Sequence, residues 1–172
     1  MKQMPSYTFG QTLWLVLLRV MIGWHFLYEG LVKALTHEWS AYHYLMDSKG
    51  IFADLFYKLA TNPILLSITE YFNIIGLITI GICLIGGLFS KFVSIGGLFF
   101  LIMYYFSHPP FAGADYLMPT EGSYLWIDKN IIEAVALMVL IYFPTSHLVG
   151  IDRFIYRAKK GAENKSDSIF DF

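Results

Sequence analysis

The sequence predicts an all-α membrane protein, a bundle of four transmembrane helices with an amphipathic interfacial helical segment between the first and second spans. Three observations predict it. The 172 residues are 56% hydrophobic and 18% aromatic, with a mean hydropathy of +0.55, well above an average soluble domain. Four runs approach the roughly 17 to 25 mostly apolar residues needed to cross a hydrocarbon core about 30 Å thick. Basic residues gather at the ends expected to be cytoplasmic.

The first span, Leu13 to Leu35, follows a short N-terminus (1–12) with one lysine, Lys2. It is longer than a signal-peptide core and lacks a small-residue cleavage site, so it is read as a retained helix. After it comes "THEWSAYHYLMDSKGIFADLFYKLATNP", in which Ile51, Phe52, Leu55, Phe56 and Leu59 recur at helical spacing opposite Asp54 and Lys58. Trp39, Tyr42, Tyr44 and Tyr57 suit the headgroup level. The segment is either an amphipathic connector lying on the outer face or a lid over a site. Asn62-Pro63 opens the second span, Ile64 to Phe89, with proline at a tolerated position. Gly76, Gly81, Gly86 and Gly87 there, with Ser94, Gly96 and Gly97 in the third span, Phe92 to Ser107, are small enough for close helix approach in lipid. A loop broken by Pro109, Pro110, Gly113, Pro119 and Gly122 leads to Asp128, an N-cap for the fourth span, Ile127 to Phe143. The third span is short and the fourth only just long enough, which implies tilt or local thinning of the bilayer. One domain, 13–150, holds all four spans, and a basic then polar tail occupies 151–172.

Lys2, Lys91, Arg153, Arg157, Lys159 and Lys160 mark one side, whereas Asp47, Asp54, Asp115 and Glu121 lie in the two longer loops. Both termini are therefore expected in the cytoplasm, with the longer loops outside. The net charge of −1 gives no indication of a nucleic-acid partner, and none is expected. The single cysteine, Cys83, leaves no redox pair, iron–sulfur motif or thiolate metal site, and His37, His43 and His147 lack metal-ligand spacing. No metal is expected.

The first span, built for hydrocarbon, nevertheless carries Arg19, His25, Glu29 and Lys33. With His25 at zero, Glu29 falls near 40°, Lys33 near 80° and Arg19 near 120° around the helix, at about 100° per residue. Charge in hydrocarbon is costly, so this third of the circumference is expected to face the bundle interior. Arg19, nearer the cytoplasmic end, also has the option of snorkelling to the inner headgroups. Glu29, Glu70 and Glu133 each lie about six residues below the outer end of their spans, roughly 9 Å down. Asn73, Asn130, His25, Lys33, Tyr104, Tyr105 and His108 fall within about two turns of that level. One polar pocket is the functional reading; polar glue between helices is the structural one. The candidate catalytic groups are Glu29, Glu70, Glu133 and His25, for proton transfer. The candidate ligand-binding groups are Lys33, Arg19, Asn73, Asn130, Tyr104, Tyr105 and His108. His25 and His108 differ in depth by two turns or more, so a haem held between them is not expected.

Four stretches, "LRVMIGWHFLYEGLVKAL", "EYFNIIGLITIGICLIGGLFSKF", "GGLFFLIMYY" and "NIIEAVALMVL", give the chain from Leu13 to Gly150 a resemblance to the DoxX/DoxD family of small four-span membrane proteins. It is most similar to versions with a long outer "EGSYLWIDKN" loop. The resemblance implies residence in the bacterial cytoplasmic (inner) membrane and a role as a quinone-associated subunit of a membrane oxidoreductase. Within the family, DoxD proteins belong to thiosulfate:quinone oxidoreductase, and DoxX proteins are linked to assemblies handling thiol and oxidative stress. By matched position, the family's polar residues fall on Arg19, Glu29, Lys33, Glu70 and Glu133. A quinone is the implied cofactor, and electrons are expected from a soluble or membrane oxidoreductase partner or a small reductant. A proton-coupled carrier and a non-enzymatic scaffold or assembly protein remain as readings of the same acids.

Overall fold

The computed structural model describes residues 7–110, 115–117, 125–155 and 158. Lys2, Gly113, Pro119, Glu121, Gly122, Arg157, Lys159, Lys160 and the tail after Gly161 lie outside the described residues. Within them every regular element is helical: α1 (Phe9–Leu35), α2 (Tyr42–Met46), α3 (Ala53–Thr61), α4 (Pro63–Gly86), α5 (Ser90–Ser107) and α6 (Lys129–Tyr142).

The helix ends follow local chemistry. Thr8 and Gln11 form a reciprocal capping box that starts α1 four residues before the apolar run, so the helix is longer than its hydrophobic stretch. The Asn62 side chain accepts the Ile64 and Leu65 amides ahead of Pro63, and Asp128 accepts the Ile131 amide at the head of α6. Gly87, at φ 65°, ends α4 in a left-handed cap.

Three helices, α1, α4 and α5, are long and apolar enough to cross a membrane. The helix α6 has 14 residues and spans only about 21 Å at 1.5 Å per residue, short of the hydrocarbon thickness. It packs on α5 and α1 and closes the bundle, burying Leu137 and Leu140 in one core with Ile22, Phe26, Leu77, Ile80, Leu84, Phe100 and Leu101.

The tightest seam runs between α1 and α4. A β-carbon on Gly81 would lie 2.5 Å from the Leu27 amide nitrogen and 2.7 Å from the Gly23 carbonyl oxygen, so the two backbones touch there. Gly23 and Gly30 of α1 meet α4 the same way, with 2.9 Å to Leu84 Cβ and 2.8 Å to Ile78 Cγ1. In lipid, where apolar burial drives little association, such close backbone approach supplies the dispersion contacts that hold helices together.

A second small core, Ala41, Leu45, Phe56 and Ala60, fastens α2 and α3 over one end of the bundle. The apolar residues of this amphipathic segment divide between two faces. Phe56 and Ala60 point inward, while Ile51, Phe52 and Leu55 remain exposed. The opposite end carries Lys91 and Arg153, where backbone bonds Ile151 to Gly86 (2.9 Å) and Asp152 to Gly87 (3.1 Å) tie the chain after α6 to the α4–α5 turn.

Candidate functional site

Beneath α2 and α3 lies a cavity of about 530 Å³, enclosed by α1, α4, α5 and the head of α6. That volume suits a drug-sized or cofactor-sized ligand. Its walls are mainly aromatic and aliphatic, and Trp39, Ala41, Tyr44, Leu45, Phe56 and Leu59 form its roof. The segment between the first two spans is therefore a cover over the cavity and not only a connector.

One wall is polar, and α1 builds it. Its i,i+4 spacing stacks His25, Glu29 and Lys33 along the inward stripe, with Glu29 3.9 Å from both His25 Nε2 and Lys33 Nζ. Behind His25, Glu133 of α6 approaches Nδ1 at 2.7 Å. That close contact is not an aligned hydrogen bond, because neither ring nitrogen meets hydrogen-bond geometry. At the other end Lys33 Nζ donates to Asn73 Oδ1 (3.2 Å), and Asn73 Nδ2 donates to the Tyr104 hydroxyl (2.6 Å). The Lys33 ammonium sits 5.3 Å from the Tyr104 ring centre and 5.7 Å from that of Trp39. The row Glu133–His25–Glu29–Lys33–Asn73–Tyr104 thus crosses four helices. Asn130 also lines the cavity and donates to Asp128 (2.9 Å), beside Lys129.

Other sequence candidates go elsewhere. Glu70 lies at the expected depth but turns to α2, accepting the Ser40 hydroxyl (2.6 Å) and the Ala41 amide (2.9 Å); it holds the cover and does not line the cavity. Arg19, 2% exposed, neither snorkels nor joins the row: it donates to Thr145 Oγ1 (3.1 Å) and the Val149 carbonyl (2.8 Å) at the opposite end. Tyr105 donates to the Trp126 carbonyl (3.1 Å) away from the cavity.

His108 belongs to a separate buried polar cluster under the cover. Its Nδ1 lies 3.1 Å from Ser107 Oγ, which is 2.5 Å from Ser48 Oγ. Its Nε2 is 3.9 Å from Asp47, whose carboxylate accepts the Leu117 amide (2.7 Å). The imidazole stacks on Tyr44 (4.0 Å between centres) and tilts against Tyr116 (4.8 Å). Burial pushes the Tyr44 phenol up, so it stays protonated beside Ser107. Nothing in the sequence pointed to this cluster: Asp47 and Ser48 are about sixty residues from Ser107 and His108, and only the fold joins them.

Burial lowers the His108 pKa below its ordinary value, outweighing Asp47, which raises it; Lys49 lowers it further. The native state therefore holds a neutral imidazole, while the unfolded chain takes up a proton near pH 6.5. Stability from this site is full above about pH 6.5 and falls as the pH drops through that value toward the lower folded pKa. Protection factors of the 42–48 amides, corrected for the base-catalysed intrinsic rate, are expected to be lower at about pH 5 than at about pH 7.5, with His108→Gln flattening the dependence. An unchanged pH slope in that variant would show that His108 does not govern the cover.

Among the described residues no group of three or more His, Cys, Asp or Glu side chains is arranged to hold a metal ion. Compared with protein-family models, curated proteins and solved structures, the chain gives no match in any of the three.

Proposed function

We propose that this chain is a DoxX-like subunit of a membrane oxidoreductase that binds a quinone in the cavity beneath α2 and α3, with α6 serving as the fourth span of the bundle. The observation that carries the reading is the row of ionisable and hydrogen-bonding groups along one wall of an otherwise apolar, aromatic-lined cavity.

The donors fit a ring with two carbonyl oxygens. Lys33 spends one proton on Asn73 and keeps others free to turn inward, and Tyr104, accepting from Asn73, retains its own proton to donate. Asn130, which also lines the cavity, has a second Nδ2–H beyond the one it gives to Asp128. Phe26, Phe72 and Phe100 supply ring surfaces. A bound quinone supplies acceptance of two electrons and two protons. The chain's own part is to hold the carbonyls, keep bulk water out through the α2–α3 cover, and move protons. His25, between Glu29 and Glu133, is placed to relay protons, with Glu133 at Nδ1 and Glu29 toward Nε2. In this reading the α2–α3 end faces outward from a bacterial cytoplasmic membrane, and electrons come from a partner oxidoreductase or a small anionic reductant such as thiosulfate.

Titration of a short-tailed quinone into the protein in lipid nanodiscs tests the proposal. Lys33→Met is expected to weaken binding at least about tenfold, the equivalent of about 1.4 kcal/mol for a charge-assisted hydrogen bond. Tyr105→Phe, outside the cavity, is expected to leave binding unchanged. No binding to the native chain, or equal affinity in Lys33→Met and Glu29→Gln, would reject the quinone site.

A further inference from the structure

The cavity wall contains residues that belong to the lipid-facing stripes of two helices. On α4, the outward positions Ile68 (60% exposed) and Phe72 (57%) line it, and on α5 the outward Phe99 (50%) does so too, with Met103 one turn further on. A side chain that both lines an internal cavity and lies on its helix's exposed stripe marks an opening. The cavity therefore opens sideways between α4 and α5, at the level where the bilayer would be.

Packing gives this slot a definite floor. Phe72 stacks on Phe100 with ring centres 5.3 Å apart and planes at 19°. The tip of Phe100 in turn presses on Gly76, where a β-carbon would come within 2.5 Å of its Cζ. One turn deeper, α4 and α5 are sealed by the common core, where a β-carbon on Gly97 would lie 3.6 Å from Ile80 Cγ2. Toward α3, Leu59 forms the rim. Among the described residues no charged side chain lies on the slot, while Glu29 and Lys33 sit on α1, Asn73 on the inward face of α4, and Lys129 and Asn130 at the head of α6.

We propose that the slot between α4 and α5 is the port for a membrane-dissolved amphiphile, whose polar head reaches Lys33 and Asn73 while its long hydrocarbon or isoprenoid tail stays between Ile68, Phe72, Phe99 and Met103 and runs out into the lipid. The ligand's head group rests on the quinone reading; the tail site does not, since any polar-headed lipid would place its chain the same way. A water-soluble ligand would need no apolar exit at bilayer depth. A tail passing between protein and acyl chains keeps its surface apolar throughout, whereas a tail curled inside would have to fit in a space of about 530 Å³ together with the head. The port thus selects ligands already concentrated in the membrane.

Photo-crosslinking in nanodiscs tests this. The probe is a decyl-tailed quinone with a diazirine at the end of the tail, and a phosphatidylcholine with the same tail diazirine runs in parallel. Tail adducts are expected at least tenfold enriched on residues 68–72 and 99–103 over the exposed α6 positions Val135 and Met138, and to be competed by unlabelled decyl-quinone. Ile68→Trp with Phe99→Trp, both at exposed lip positions, is expected to abolish that enrichment without lowering thermal stability. Enrichment with the phospholipid but none with the quinone would keep the port and overturn the quinone head. Adducts spread evenly over every lipid-facing helix stripe with both probes would overturn the port, whatever the short-tailed quinone does in solution titrations.

Discussion

Gly81→Ala is expected to disrupt the α1–α4 seam and to destabilise the protein by about 3 kcal/mol, at the upper end of what overpacking costs. The added methyl would sit 2.5 Å from the Leu27 nitrogen and 2.7 Å from the Gly23 carbonyl oxygen. Both are backbone atoms of a continuous helix, so no rotamer change relieves the clash; α1 must shift away. Because α1 carries His25, Glu29 and Lys33, that shift also spreads the polar row, and ligand affinity is expected to fall along with stability. Gly96→Ala is the matched control. A β-carbon there meets only Ile80 Cδ1 at 3.8 Å, an ordinary contact, and alanine's better helix propensity contributes a gain of about 0.5–1 kcal/mol. Thermal unfolding in detergent compares the two. Equal midpoints would mean that the helices are not in contact at Gly81.

The second large effect is expected from Arg19. Its guanidinium is buried at the end of the bundle opposite the cavity, bridging Thr145 Oγ1 and the Val149 carbonyl and approaching Gly87, whose β-carbon would lie 2.9 Å from Nη2. Gly87 is left-handed at φ 65° and bonded to the chain after α6 through Asp152, so one side chain fixes the start of α4–α5 turning and the end of α6 together. Arg19→Met leaves those acceptors unpaired and is expected to cost about 3 kcal/mol. Arg19→Lys is expected to recover less than half of this, because an ammonium on a shorter reach lacks the planar fork that serves two separated acceptors. Faster amide exchange at 145–153 in both variants, with the cavity end unaffected, is the expected signature. Full recovery by lysine would show that charge alone, and not the bridging geometry, holds this end.

The helix boundaries were largely legible because they are local. Asn62-Pro63 and Asp128 act through bonds within four residues, and hydropathy follows composition along the chain; Gly87, expected only as a packing glycine, instead ends α4 at Gly86, three residues before Phe89. The expectation of four spans holds for α1, α4 and α5 by length and apolarity, whereas α6 is shortened because Asp128 caps it after Ile127 and the chain turns at Phe143. Gly23 and Gly30, seven residues apart, mark one face of α1 as a close-packing face, a signal independent of the charges on that helix.

Local helix geometry alone places His25, Glu29 and Lys33 on one stripe, since 3.6 residues per turn leaves them no choice. Which neighbour each group meets is a matter of azimuth between helices and of how far each chain reaches, and it is set only when the helices pack. It turned Glu133 onto His25 and Asn73 onto Lys33, sent Glu70 to the Ala41 amide and Arg19 to Val149, and brought Asp47 beside His108 across some sixty residues. A buried polar group takes whichever partner satisfies it nearest its own face, and the packing of distant helices sets where that partner stands.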